Sequence, residues 1–226
     1  MRVAIVIPAY QAAATIGDVV ARARTVLPDA QVIVVDDGSN DGTGEGGRGK
    51  GAVVVTHPRN RGKGVALRSG IARACTEGAE AIVTLDGDGQ HPPDEIPRLL
   101  QPISDRAADL VLGARARNGP MPVSRRFTNW LSASLASRIG GQTVTDAQTG
   151  FRAFTRAVAE QVQPAGDRYE FEANFLLEAL RAGYRVASVE VPTIYGAPSH
   201  FRPFGDTWRM ARAFARHAGR IVAGAS

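Results

Sequence analysis

Short apolar runs recur along the chain, each followed by a polar break and a longer stretch with helical spacing. Arg2–Ile7 is the first run and Pro8 ends it; Gln31–Val35, Ala52–Thr56, the run from Ala81 to Asp86 and Asp109–Leu112 follow. Runs rich in apolar and β-branched residues, without strict alternation, predict buried parallel strands. Between them a helix is predicted from Thr15, as its cap, to about Leu27, another over Val65–Glu77 and another from about Asp94 to Ser104. The stretch Gly42–Gly51 holds too many glycines for a stable helix and predicts an irregular connection. After Arg115 the pattern loosens: residues 116–122 are polar and hold Gly119, Pro120 and Pro122. Ser124–Ile139 is amphipathic, with Phe127, Trp130, Leu131, Leu135 and Ile139 on one side and Arg125, Arg126 and Arg138 among the rest. A short strand over Gly150–Thr155, a helix over Phe171–Ala182 and a last strand over Arg185–Tyr195 complete the pattern. Strands alternating with helices on short connections predict an α/β fold, a Rossmann-like, mostly parallel central sheet with helices on both faces. No linker divides the chain, so one domain over residues 1–226 is expected, with residues 200–226 a C-terminal loop and basic amphipathic helix.

Composition narrows the class. A chain of 226 residues can enclose a full hydrophobic core, and 44% hydrophobic with 22% charged residues is ordinary for a soluble domain. The single cysteine, Cys75, rules out an internal disulfide. No apolar run reaches the roughly 18 residues that would suggest a membrane span. The N-terminus reads as a strand and not as a signal peptide, so a cytoplasmic protein is expected, with peripheral contact to the inner face of a membrane as an option. The net charge of +5 favours an anionic partner. Nucleic acid is not expected, because no aromatic-basic stacking motif or zinc module accompanies the charge.

The chemistry concentrates at predicted strand ends. Asp86 and Asp88 flank Gly87 where an apolar strand gives out, and in open α/β sheets ligands bind at such carboxyl ends. Two carboxylates there repel unless a cation lies between them, and hard oxygen ligands suit Mg²⁺ or Mn²⁺ shared with a nucleotide diphosphate. A plain acidic turn is the alternative. Asp36 and Asp37, with Gly38 and Ser39, end the second strand and could bond a ribose or base edge, or simply form a capped turn. Asn60–Gly64, N-R-G-K-G, opens a helix where backbone N–H groups and Lys63 attract anions, although its spacing is not that of a P-loop.

Taken in order, P-A-Y at Pro8–Tyr10, V-D-D-G-S-N-D at Val35–Asp41, N-R-G-K-G at Asn60–Gly64, L-D-G-D-G-Q-H-P-P at Leu85–Pro93 and D-A-Q-T-G-F-R at Asp146–Arg152 resemble a family 2 inverting glycosyltransferase of the glycosyltransferase A fold, closest to the dolichyl- and polyprenyl-phosphate sugar synthases. The resemblance covers nearly the whole chain. It implies a nucleoside pocket lined by Pro8, Tyr10, Val35 and Asp37; a sugar-nucleotide faced by Lys63, Asp86, Gly87, Asp88 and Arg115; and a Mg²⁺ or Mn²⁺ site of Asp86, Asp88 and Gln90. Asp88 and Asp146 would be the catalytic acids, with Asp146 at the mouth where donor and acceptor meet. The chain departs from the pattern at Ala12, where an acid is usual, and at Thr193 and His200, where basic residues are.

The reaction so implied is direct displacement at the anomeric carbon of a GDP-mannose- or UDP-glucose-type donor, with a polyprenyl phosphate as acceptor. A phosphate is already anionic and needs cations, not a general base. Arg126, Arg152, His200 and Arg202 are the candidates to hold it, with Arg125 beside them. A soluble enzyme using a hydroxyl acceptor is the rival, with Glu170 or Glu172 as base. In the C-terminal helix, Arg209, Arg212, Arg216 and Arg220 form a stripe opposite an apolar face, suited either to an anionic bilayer or to packing on the sheet.

Overall fold

A computed structural model of the chain describes residues 1–115, 123–168 and 170–192, with backbone alone for residues 123–127. The strands are β1 (Val3–Ala9), β2 (Gln31–Asp36), β3 (Val53–Thr56), β4 (Ala81–Thr84), β5 (Leu110–Arg115), β6 (Arg152–Thr155) and β7 (Val186–Val191). The helices are α1 (Ile16–Val26), α2 (Thr43–Gly49), α3 (Lys63–Thr76), α4 (Ile96–Ser104), α5 (Val123–Gly140), α6 (Arg156–Gln161) and α7 (Glu170–Arg181). One seven-stranded sheet has the order β3-β2-β1-β4-β6-β5-β7. Every pairing is parallel except those of β6, which runs antiparallel to β4 and to β5.

Alternate residues of each strand face opposite helix layers, and both layers are apolar. Val6, Ile33, Val35, Ile82, Leu112 and Phe154 pack with α3, α6 and α7 on one face. Ile5, Ile7, Val34, Val83 and Val111 pack with α1 and α4 on the other. Covering on both sides is why the strands read as continuous apolar runs. In α4, Ile96, Leu99, Leu100 and Ile103 are buried, the i, i+3, i+4, i+7 stripe of a helix lying on a sheet. Helix α3 approaches the sheet so closely at Gly70 that a Cβ there would lie 2.3 Å from Val6 Cγ1.

Several boundaries differ from the sequence reading. Strand β1 continues through Pro8 to Ala9 because its ladder with β4 ends at Val6↔Thr84, leaving only β2 beside Pro8. The glycine-rich stretch is a helix, α2, against its propensity. Its small residues let it lie close to its neighbours: a Cβ on Gly47 would be 3.3 Å from Val34 Cγ2, and one on Gly46 3.1 Å from Ile16 Cγ2. Tertiary packing, not propensity, holds it. Thr15 precedes α1 but makes no capping bond; its hydroxyl donates to the Gly87 carbonyl at 2.6 Å and so ties α1 to the acidic turn. On α5 the predicted apolar side is split. Leu135 and Ile139 pack on the core, whereas Trp130 and Leu131 are 60% and 44% exposed.

This topology gathers the motifs. The carboxyl ends of β1, β2, β4 and β5 share one edge of the sheet, and the antiparallel β6 brings the loop before Arg152 to that same edge.

Candidate functional site

Past Thr84 the chain leaves the sheet and turns through Leu85–Gln90, with Asp86 and Asp88 on the turn. The Asp88 Oδ1 accepts the Gln90 backbone N–H at 3.0 Å, and Gly87 is buried against Ala9 and Ile16. The Lys63 ammonium lies 2.6 Å from Asp86 Oδ1 and 2.9 Å from Glu172 Oε1. Burial raises the proton affinity of Asp86, but Lys63, His91 and Arg115 together outweigh it and hold that carboxyl below its ordinary range. Asp88 goes the other way: burial and then the Asp86 charge push it up. His91 is buried on the Phe151 ring, centroids 5.4 Å apart, and burial pushes its imidazole below its usual value. Its Nδ1 has no hydrogen-bond partner among the described residues and faces Asp86 Oδ2 from 3.9 Å.

Behind the turn lies a second ionic layer. Arg115, the last residue of β5, donates from Nε and an η nitrogen to the Asp146 carboxylate at 2.8 and 3.1 Å. Asp146 also accepts the Gln148 N–H, and Arg115 together with that bond outweighs burial and holds its carboxyl below the usual range. Arg152, at the start of β6, is 2% exposed. It donates to the carbonyls of Thr149, Glu172 and Ala147 at 2.8, 2.6 and 3.2 Å. A buried guanidinium with its N–H groups on three carbonyls is a scaffold for the 146–150 loop, and it does not face outward as the expected phosphate contact would. Arg126 by its side chain, His200, Arg202 and the basic C-terminal helix lie outside the described residues, as does the strand predicted beyond residue 192.

The expected nucleoside residues separate. Tyr10 is 37% exposed at the open end of β1. Pro8 and Val35 are buried partners in the β1–β2 ladder, and the Val35 side chain points at α3, where a Cβ on Gly70 would come within 3.0 Å of it. Only the backbone of Val35 can border a ligand. Asp37 is 2% exposed, shares a 2.6 Å hydrogen bond with His57 Nδ1, and accepts the N–H groups of Arg61 and Gly62 at 2.7–3.0 Å. Its carboxylate thus clamps the N-R-G-K-G loop onto β2. The clamp needs glycine at position 38, where φ is +76° and a Cβ would lie 2.4 Å from the Arg59 carbonyl carbon.

Sequence reasoning missed His91 as a cluster member and the pairing of Lys63 with Glu172. A histidine three residues after Asp88, inside the acidic motif, was the available signal for the first. The second joins residues more than a hundred positions apart, and nothing local marks it.

Comparison with known proteins places this arrangement. The family model described as glycosyl transferase family 2 matches residues 4–163. The chain is 33% identical over 209 residues to undecaprenyl-phosphate mannosyltransferase of Micrococcus luteus, covering 86% of this chain and 84% of the relative. It is 30% identical over 214 residues to UDP-N-acetylglucosamine–dolichyl-phosphate N-acetylglucosaminyltransferase of Methanococcus voltae, covering 84% and 85%. The structure of glucosyl-3-phosphoglycerate synthase from Mycobacterium tuberculosis, in complex with Mn²⁺, UDP and glucosyl-3-phosphoglycerate, superposes with a TM-score of 0.79 at 21% identity over 96% of this chain and 80% of that one. At that identity the likeness is one of fold, the glycosyltransferase A type. Because the family match runs from β1 to α6, across every strand whose end forms the acidic edge, the chain belongs to glycosyl transferase family 2.

Proposed function

We propose that this protein transfers a sugar, with inversion, from a nucleotide diphosphate sugar to a polyprenyl phosphate, and that it does so with a bound Mg²⁺ or Mn²⁺. The observation that carries the reading is the Asp86–Asp88 turn: one carboxylate neutralised by Lys63, the other left with a raised proton affinity beside it. The residues fit a divalent cation. Asp86 Oδ2, Asp88 and the unpartnered His91 Nδ1 are hard or borderline donors on one turn. Among the described residues no three His, Cys, Asp or Glu enclose an ion by themselves, so water and diphosphate oxygens would complete the shell. When bound, the ion would offset the charge that grows on the leaving diphosphate. Gln90, expected from the sequence as the third protein ligand, remains a proposed ligand through its side chain while its backbone N–H holds Asp88; Lys63 keeps Asp86 ionised, and Tyr10 and the Asp37-clamped loop border the nucleoside.

Several observations favour a phosphate acceptor over a hydroxyl. Two acids that could act as a base are held in ion pairs, Glu172 with Lys63 and Asp146 with Arg115, while Glu170 has one oxygen on the Asp167 N–H at 3.2 Å and the other without a hydrogen-bond partner among the described residues. A phosphate needs no base. The relatives named above act, by their names, on undecaprenyl and dolichyl phosphates. Arg126, His200 and Arg202 are the proposed acceptor ligands. Among the described residues no helix is long and apolar enough to cross a membrane. The outward-facing Trp130 and Leu131 suit peripheral contact with a bilayer surface.

The test is a donor screen with Mn²⁺, using UDP- and GDP-sugars with polyprenyl phosphate or with free saccharides. A chloroform-extractable sugar lipid is the expected product. Transfer to saccharide hydroxyls, with no lipid product from any donor, would refute the acceptor assignment.

A further inference from the structure

Three elements meet at one ammonium. Lys63 is the first residue of α3, Glu172 lies in the first turn of α7, and Asp86 follows β4. The side chains of Lys63, Asp86 and Glu172 are 17%, 24% and 8% exposed. The seam that presents Glu172 is stiff. The Gly64 N–H donates to the Asp167 carbonyl at 2.9 Å, and Arg68 donates to the Gly166 carbonyl while lying 5.4 Å from the Phe171 ring centroid. A Cβ on Gly62 would come within 2.3 Å of the Asp167 carbonyl oxygen. Glu172 therefore keeps its place against Lys63 unless that seam opens. Gly150 completes the cluster: a Cβ there would meet Glu172 Oε1 at 2.8 Å, and Asp86 Oδ2 and Lys63 Nζ at 3.0 Å. A methyl group there would have to push one of the three charged ends aside.

The same ammonium that neutralises Asp86 would repel a divalent cation arriving there. Its share between two carboxylates decides how much of Asp86 is left for that cation. Across the site, Asp86, Asp88, Asp146 and Glu172 face Lys63, Arg115 and Arg152, so among the described residues one negative charge is left over, at the acidic turn. We propose that Glu172 is a positioning residue of the donor site, drawing the Lys63 ammonium partly off Asp86 so that Asp86 can join Asp88 in holding a divalent cation. The inference rests on the reading of that turn as a cation site. Glu172 touches neither the cation nor the donor. It acts through Lys63, and Lys63 is a resident competitor for Asp86.

Two variants and their combination test this. In Glu172→Gln the ammonium shifts toward Asp86 and Mn²⁺ binds more weakly. In Lys63→Met the competitor is gone and Mn²⁺ binds more tightly. With Lys63 absent, Glu172→Gln has little left to do, since only its charge at a distance remains. Mn²⁺ affinity is read on the full chain by electron paramagnetic resonance of the free ion, with and without UDP, after circular dichroism has shown each variant folded. The expected results are a loss of about tenfold for Glu172→Gln and less than about threefold for the same change in the Lys63→Met background, with Glu172→Asp between wild type and Glu172→Gln. An equal factor in both backgrounds, or no effect of Glu172→Gln, overturns the proposal and leaves the cation site standing. Absence of Mn²⁺ binding by the wild type overturns both. Should Glu172→Gln fail to fold, Lys63→Met decides alone: unchanged or weaker Mn²⁺ binding overturns the coupling.

Discussion

Replacing Arg152 by methionine separates a scaffold from a ligand. In the structure this guanidinium bonds three carbonyls, at 2.8, 2.6 and 3.2 Å, and is 2% exposed. Hydrogen bonds from a charged donor contribute about 1.5–3 kcal/mol each, and their removal leaves the carbonyls of Ala147, Thr149 and Glu172 buried. Methionine fills part of the volume and relieves the cost of desolvating the charge, so the full sum is not reached. Leaving a buried acceptor without its partner costs about 1–3 kcal/mol, and over these three carbonyls about 4 kcal/mol is the expected loss. For a chain of this size each 1 kcal/mol shifts Tm by about 2–4 °C, so Tm should fall by about 8–16 °C. Urea unfolding with an unchanged m-value, together with a thermal scan, measures it. Lysine would not rescue, because one ammonium cannot span three carbonyls in the geometry of a planar fork. If Arg152→Met loses less than about 1 kcal/mol of stability while the KM for polyprenyl phosphate rises sharply, the scaffold argument is wrong and a phosphate contact is restored.

Three further expectations follow from the same contacts. Asp88→Asn removes the surplus charge of the acidic turn, so Mn²⁺ affinity measured by calorimetry should drop at least about tenfold with Tm near wild type, since the asparagine Oδ1 still accepts the Gln90 N–H and the carboxylate repulsion is relieved; undiminished Mn²⁺ binding would contradict the site. Gly70→Ala forces a methyl group to within 2.3 Å of a branched side chain on β1, and overpacking of this kind costs about 1–3 kcal/mol, read as a lower urea midpoint. Asp109 accepts three bonds from Arg185, and that hydrogen bonding holds its carboxyl below the ordinary value of 3.8. A lowered folded pKa gives stability that is complete above the unfolded value and is lost as pH falls through the folded one. The advantage of wild type over Asp109→Asn should therefore be at most about 1 kcal/mol at neutral pH, as for a partly exposed pair, and vanish in strong acid; a constant difference across pH would argue against the ion pair.

The alternation of strands and helices was legible in the sequence because a sheet covered on both faces demands apolar runs, and most helices between them, α4 above all, carry their own stripe. The acidic turn after β4 was legible too, since Asp86 and Asp88 lie two apart and their electrostatic conflict is local. What the sequence could not show is where distant side chains meet. Asp37 reads as a ligand-facing acid at a strand end, yet the loop twenty residues on folds back and occupies both its oxygens. Arg152 reads as one more cation for a phosphate, yet the antiparallel entry of β6 turns it under the site. The glycines of α2 argue against a helix by propensity, and only the room they leave beside Val34 and Ile16 reverses that. Local pattern records which faces avoid water. Which charges find each other depends on strand order, and strand order exists only once the chain has folded.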